Sequence, residues 1–138
     1  MAVGLKVKFY WYQIGTGDFL HSFFSTIAYN LESKKWGSRF PNVMNEIYQG
    51  KISSEKIDEA VEELKIIREE LKAFAPDKVV WDIEDLSKQP PWGNDISKDI
   101  TDLSNYFVSS EGKDLFTVFF DALQKAKDLD SELQITSL

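Results

Sequence analysis

The sequence predicts a two-layer α+β domain, with helices packed on one face of a small mixed or antiparallel sheet. Three observations predict it. The chain opens on an alternating run of aromatic and β-branched residues, several later segments place apolar residues three and four apart, and strands and helices do not alternate strictly. The expected order is strand, three helices, two short strands, helix, strand.

Residues 3–14 read as one strand, because Val3, Leu5, Val7, Phe9 and Trp11 alternate with Gly4, Lys6, Lys8, Tyr10 and Tyr12. Gly15-Thr16-Gly17-Asp18 then breaks the run, and Thr16 or Asp18 can accept a bond from an orphan N–H of the next helix. Phe19, Leu20, Phe23, Phe24, Ile27, Ala28 and Leu31 form one helical stripe. Pro41 suits a first helical position, and Gly50 ends the short helix that Val43, Met44, Ile47 and Tyr48 outline. Residues 54–74 are the clearest helix, with Ile57, Ala60, Val61, Leu64, Ile67, Leu71 and Phe74 on one side and Pro76 preventing continuation. Acids crowd its first half and bases its second, which suits the helix dipole. Val79–Ile83 and Tyr106–Val108 read as short strands. Between them, residues 84–100 lack periodicity and contain Pro90, Pro91 and Gly93, and long ordered loops are often functional. Residues 113–128 carry a last helical stripe, and Leu133–Thr136 a closing edge strand.

Composition narrows the function. The 138 residues are 43% hydrophobic, which supports one core and one domain over 1–138. There is no cysteine, so disulfides, zinc-thiolate centres and cysteine nucleophiles are excluded. A formal net charge of -7 argues against nucleic acid as a partner, since that needs a basic footprint. No stretch is long and apolar enough to cross a membrane, and Lys6 and Lys8 interrupt the N-terminal run that a signal peptide would need. The expectation is a cytoplasmic protein with no membrane or nucleic-acid partner. The charge is uneven: +3 over residues 1–52 and -10 over the rest. Such asymmetry can steer a charged partner or serve solubility alone.

Each candidate motif has a plainer reading. Gly15-Thr16-Gly17 lacks the third glycine of a dinucleotide loop (Leu20 occupies its place) and the Gly-Lys-Ser/Thr of a phosphate loop, so a turn with a helix cap accounts for it. His21, the one histidine, lies beside an apolar stripe, and no serine stands in a nucleophile elbow. A packed or surface imidazole is the simpler account, although it can titrate near neutral pH. Asp82, Glu84, Asp85, Asp95, Asp99 and Asp102 make an acidic segment. If 79–83 is a strand, Asp82 and Glu84 point to one side and with a third carboxylate could hold a divalent cation for hydrolysis. An acid-and-lysine nuclease pattern could likewise pair Pro76-Asp77 with Glu111-Gly112-Lys113. The remaining readings are a solvated surface and a surface shown to a basic partner. Trp36, followed by Phe40-Pro41, reads as a cap on the core. Trp92, beside prolines and acids, reads equally as cap or as contact anchor.

The ordered segments Trp11–Phe24, Trp36-Gly37-Ser38-Arg39-Phe40-Pro41, Tyr48-Gln49-Gly50, Trp81–Asp85, Pro90-Pro91-Trp92-Gly93 and Leu103–Phe107 together resemble the immunity protein 70 family of bacterial polymorphic-toxin systems. The resemblance spans nearly the whole chain. It implies a non-enzymatic protein without cofactor that stays in the cytoplasm and binds the C-terminal effector domain of a cognate toxin. The family supplies no catalytic residues to carry over. From the residues themselves, the contact is expected at Asp82, Glu84, Asp85, Trp92, Asp95, Asp99, Asp102 and Tyr106. The carboxylates would supply rate and register, and Trp92 or Tyr106 a desolvated anchor. A divalent-metal hydrolase built on the 82–102 carboxylates and a scaffold with some other partner remain the alternatives.

Overall fold

The computed structural model describes residues 2–93 and 95–137. The N-terminal run is a hairpin rather than one strand: β1 (Ala2–Val7) turns back at Lys8-Phe9 into β2 (Tyr10–Thr16). Alternation misled because a two-residue turn shifts the parity. Leu5 faces Tyr12 and Val7 faces Tyr10, whereas Trp11 pairs with Lys6 on the opposite side. No Asn-Gly or Gly-Gly marked the turn; Lys8 itself takes the left-handed φ of +51°. Gly4 is required nearby, since a Cβ there would lie 2.5 Å from the Tyr12 carbonyl oxygen and 2.7 Å from the Trp11 ring.

Helix α1 (Gly17–Leu31) follows directly, capped by Thr16, whose hydroxyl accepts from the Phe19 N–H at 3.2 Å. A π-helical turn, Asn42–Ile47, comes next, and its free N–H groups meet a carboxylate from another element. Glu63 accepts from Val43 N at 2.9 Å and from Asn42 Nδ2 at 2.7 Å. Strand β3 is only Lys51–Ile52. A single 3₁₀ turn leads into α2 (Ile57–Leu71), and α3 (Leu115–Asp128) is capped by Asp114, which accepts from Thr117 N. Strand β4 (Leu133–Ser137) closes the chain.

All sheet pairings are antiparallel, in the order β2-β1-β4-β3. The last strand is therefore internal, not the expected edge. The two-residue β3 that covers it was too short to show a periodic pattern. Helices pack on the face that carries Leu5 and Val7, and α3 contacts β1, β2 and β4. Lys6, Trp11, Gln134 and Thr136 share the other face by register. Phe23 is at the centre of the core, with Phe24, Phe107, Phe116 and Phe119 at 5.3–5.5 Å between ring centroids.

The short strands expected at 79–83 and 106–108 do not form. Residues 79–83 pair with no strand, and Val108 makes one isolated bridge to Asp114. Residues 79–83 nonetheless lie partly to fully buried against the fold, and the reason is side-chain chemistry on α1.

Candidate functional site

Helix α1 is apolar on one side, yet its other side is also buried: Ser22, Ser25 and Thr26 are inaccessible to solvent. Their hydroxyls replace a strand partner for the segment that crosses them. Ser22 and Thr26 donate to the Val80 carbonyl at 2.8 and 3.2 Å, and Thr26 Oγ1 accepts from Val80 N at 3.0 Å. Ser25 Oγ accepts from Ile83 N at 3.2 Å, and Asn30 donates to the Lys78 carbonyl at 3.1 Å. A β-branched run that looks like a strand is thus satisfied by a helix. Further along, Leu103 N donates to the Phe74 carbonyl and Ser110 N to the Ile14 carbonyl, so the segment is tied to the end of α2 and to β2.

His21 joins three elements. Its Nδ1 lies 3.0 Å from the Tyr48 hydroxyl and its Nε2 3.3 Å from Asp82 Oδ1, while the ring stacks beside Trp36. An ionised Asp82 only accepts, so Nε2 carries a proton. In the neutral ring Nδ1 then accepts from the phenol. Asp82 also accepts from Glu84 N at 2.9 Å and lies 3.4 Å from Lys88 Nζ. The backbone bond from Glu84 is the chief cause that holds its carboxyl below the usual aspartate range. Burial opposes that shift, and bonds from His21 and Lys88 reinforce it. The Tyr48 phenol is pushed up, first by burial and then by Glu84 and Asp82. A phenol so raised is a poor nucleophile at neutral pH, and the nearby Ser22 and Ser25 hydroxyls are held by the Val80 and Ile83 backbone. The Asp82–His21–Tyr48 chain links the segment to α1 and to the residue that follows the π-helical turn.

The sequence-predicted site residues fall into three groups. Asp82 and Asp102 are turned inward. Burial is the largest single influence on Asp102 and pushes its carboxyl up, but bonds from the Ser104 hydroxyl, from Ser104 N at 2.8 Å and from the Thr101 hydroxyl together outweigh it and hold the carboxyl low. Glu84, Asp85, Asp95 and Asp99 are exposed. Asp85 folds back on Ser87, whose hydroxyl and N–H hold its pKa down. Trp92 and Tyr106 form one unit: the indole N–H donates to the phenol oxygen at 2.8 Å. Trp92 is 37% exposed and is supported edge-on by Trp81 at 5.4 Å and Phe19 at 6.4 Å. Tyr106 is only 5% exposed, so it stands behind Trp92 rather than beside it. A hollow of about 290 Å³ lies along this unit, lined by Phe19, Trp92, Asp95, Ile96, Ile100 and Tyr106 among others.

The cation-site alternative required three converging carboxylates. Among the described residues no three His, Asp or Glu side chains are grouped to hold a metal ion, and Asp82 and Glu84 do not share a strand face, because there is no strand. Sequence reasoning missed the link from His21 to Asp82 and Tyr48. Polar residues at α1 positions next to the apolar stripe were its one trace. Trp36 caps the core as expected: its indole N–H donates to the Met44 carbonyl at 2.8 Å and its ring meets Tyr48 at 4.7 Å.

Fold and site thus define an α+β domain whose long, hydrogen-bonded surface segment presents acids and one backed tryptophan. No solved structure and no curated protein matches the chain. The family model described as Immunity protein 70 matches residues 5–135, nearly the whole length, and the chain belongs to that family. Its role is that of an immunity protein in a toxin system. No helix among the described residues is long and apolar enough to cross a membrane.

Proposed function

We propose that this chain is a cytoplasmic, non-enzymatic inhibitor that binds the C-terminal effector domain of its cognate toxin and occludes it, and that the effector is a nuclease with a basic cleft. The observation that carries the reading is the 79–114 segment. It is tied to α1 hydroxyls at Val80 and Ile83, exposes Glu84, Asp85, Asp95 and Asp99, and carries the partly exposed Trp92, which lines a hollow together with Asp95. A surface so arranged is drawn to a positive cleft by its field and fixed there by burying one large rigid ring. Tyr106 contributes by orienting the Trp92 indole, and Asp82 and Asp102 by shaping the loop.

Co-expression with the effector domain encoded in the adjacent reading frame tests the reading: cells should survive only when this chain is present. The electrostatic part is tested by reversing Glu84, Asp85 and Asp95 to lysine. Asp82 is left alone, because its carboxylate holds His21 and the Glu84 N–H. The association rate with the effector should fall about ten-fold or more at low ionic strength, and the difference should shrink in high salt. An unchanged association rate would remove the acidic segment from the contact.

A further inference from the structure

The hairpin tip breaks two local rules at once. Tight two-residue turns favour glycine, asparagine or aspartate where φ is positive, yet Lys8 sits at +51°. Large apolar side chains seek cover, yet Phe9 is 98% exposed and its neighbour Tyr10 46%. The Lys8 conformation serves the turn that joins β1 to β2, but the exposure of Phe9 serves no packing, since Phe9 lies outside the core. Residues that defy local preference without a folding benefit mark functional positions.

Cations outnumber acids around the tip, where Asp121 lies near the Tyr12 phenol and Glu132 near Lys6 and Lys8. Lys6 and Lys8 are exposed, and among the described residues neither forms an ion pair. Lys125 Nζ lies 4.5 Å above the Tyr10 ring. Glu132 is the acid beside Lys6 and Lys8, and it is engaged by Lys51 at 3.7 Å and by Gln134. The tip is therefore one projecting phenylalanine flanked by the unpaired Lys6 and Lys8, on a protein whose net charge is -7.

We propose that Phe9 is a second anchor for the effector domain, entering an apolar pocket rimmed by carboxylates on that protein, with Lys6 and Lys8 pairing to the rim. The inference rests on the toxin-binding reading and adds a contact at the end of the sheet, separate from the acidic segment. A self-paired dimer through the tip would oppose lysine to lysine. An anionic bilayer would meet one aromatic side chain and two or three lysines on an acidic protein, which makes a marginal anchor. A protein pocket of opposite charge fits the arrangement best.

The test compares wild type, Phe9→Ser and Phe9→Leu in binding a catalytically dead effector domain from the adjacent reading frame. Because Phe9 is exposed, Phe9→Ser should leave the melting temperature unchanged. It should weaken binding by about ten- to a hundred-fold, the worth of burying one phenylalanine side chain, mainly through faster dissociation. Phe9→Leu should recover most of the loss. Effector affinity of Phe9→Ser within about two-fold of a binding wild type would overturn the proposal and leave the toxin-binding reading standing. Failure of the wild type to bind would end both. Two further results would overturn it by assigning Phe9 another occupant. One is Phe9-dependent sedimentation with phosphatidylserine–phosphatidylcholine vesicles with effector affinity unchanged. The other is a Phe9-dependent dimer of the chain alone.

Discussion

Thr26→Val is a demanding perturbation of the loop's attachment. Valine has the shape and χ1 stiffness of threonine, so helix propensity and packing are nearly preserved and only the hydroxyl is lost. That hydroxyl makes two bonds with the same residue: it donates to the Val80 carbonyl at 3.2 Å and accepts from Val80 N at 3.0 Å. The carbonyl keeps its 2.8 Å bond from Ser22, but the buried N–H keeps no partner. An orphaned buried donor costs about 1–3 kcal/mol. Ser22→Ala removes only one of two donors from an oxygen that Thr26 still serves, and should cost about 1 kcal/mol or less. The order of effect is therefore Thr26→Val above Ser22→Ala. Urea denaturation measures the stabilities, and amide exchange locates the loss. The Val80 amide should exchange about ten- to a hundred-fold faster in Thr26→Val, with Ile83 affected less through its own bond to Ser25. Equal or inverted effects, or unchanged protection at Val80, would refute the argument that helix hydroxyls take the place of a strand.

Two further outcomes follow from the buried and shifted carboxylates. Glu32 is 2% exposed and accepts from the N–H groups of Gly37, Arg39 and Phe40 at 3.0–3.1 Å, so Glu32→Ala should cost about 3 kcal/mol or more in a denaturant titration. A loss under about 1 kcal/mol would mean that water replaces the carboxylate there. Asp82 has a folded pKa below its unfolded value, so its stabilising contribution is complete above the unfolded aspartate range, about 4, and is lost as the pH falls through the lower folded value. Asp82→Asn should lower stability at neutral pH and show a shallower decline on the acid side. Parallel acid limbs for the two proteins would rule out Asp82 as a contributor.

Local patterns decided what could be read from the chain alone. The stripes of α1, α2 and α3 were legible, because each helix buries its own face whatever it packs against. Thr16 as a cap, Pro41 as a first helical residue and Gly50 as an end were legible for the same reason. So was the irregular, acidic character of 84–100, which follows from prolines and composition. The α+β class followed from the mixture of the two periodicities, and family membership from the ordered set of segments along the chain.

Only the tertiary structure decided the rest, and in each case the missing information was a partner distant in sequence. The parity change at Lys8-Phe9 depends on how β1 and β2 pair. The internal place of β4 depends on β3, some 80 residues earlier. Val79–Ile83 has strand-like residues, but its backbone found the hydroxyls of Ser22, Ser25 and Thr26, more than 50 positions back. His21 looked solitary until the fold brought Asp82 and Tyr48 to its two nitrogens. Sequence determines which backbone groups need partners; the packed fold determines which partners they take, because a hydrogen bond depends on distance in space and carries no local period along the chain.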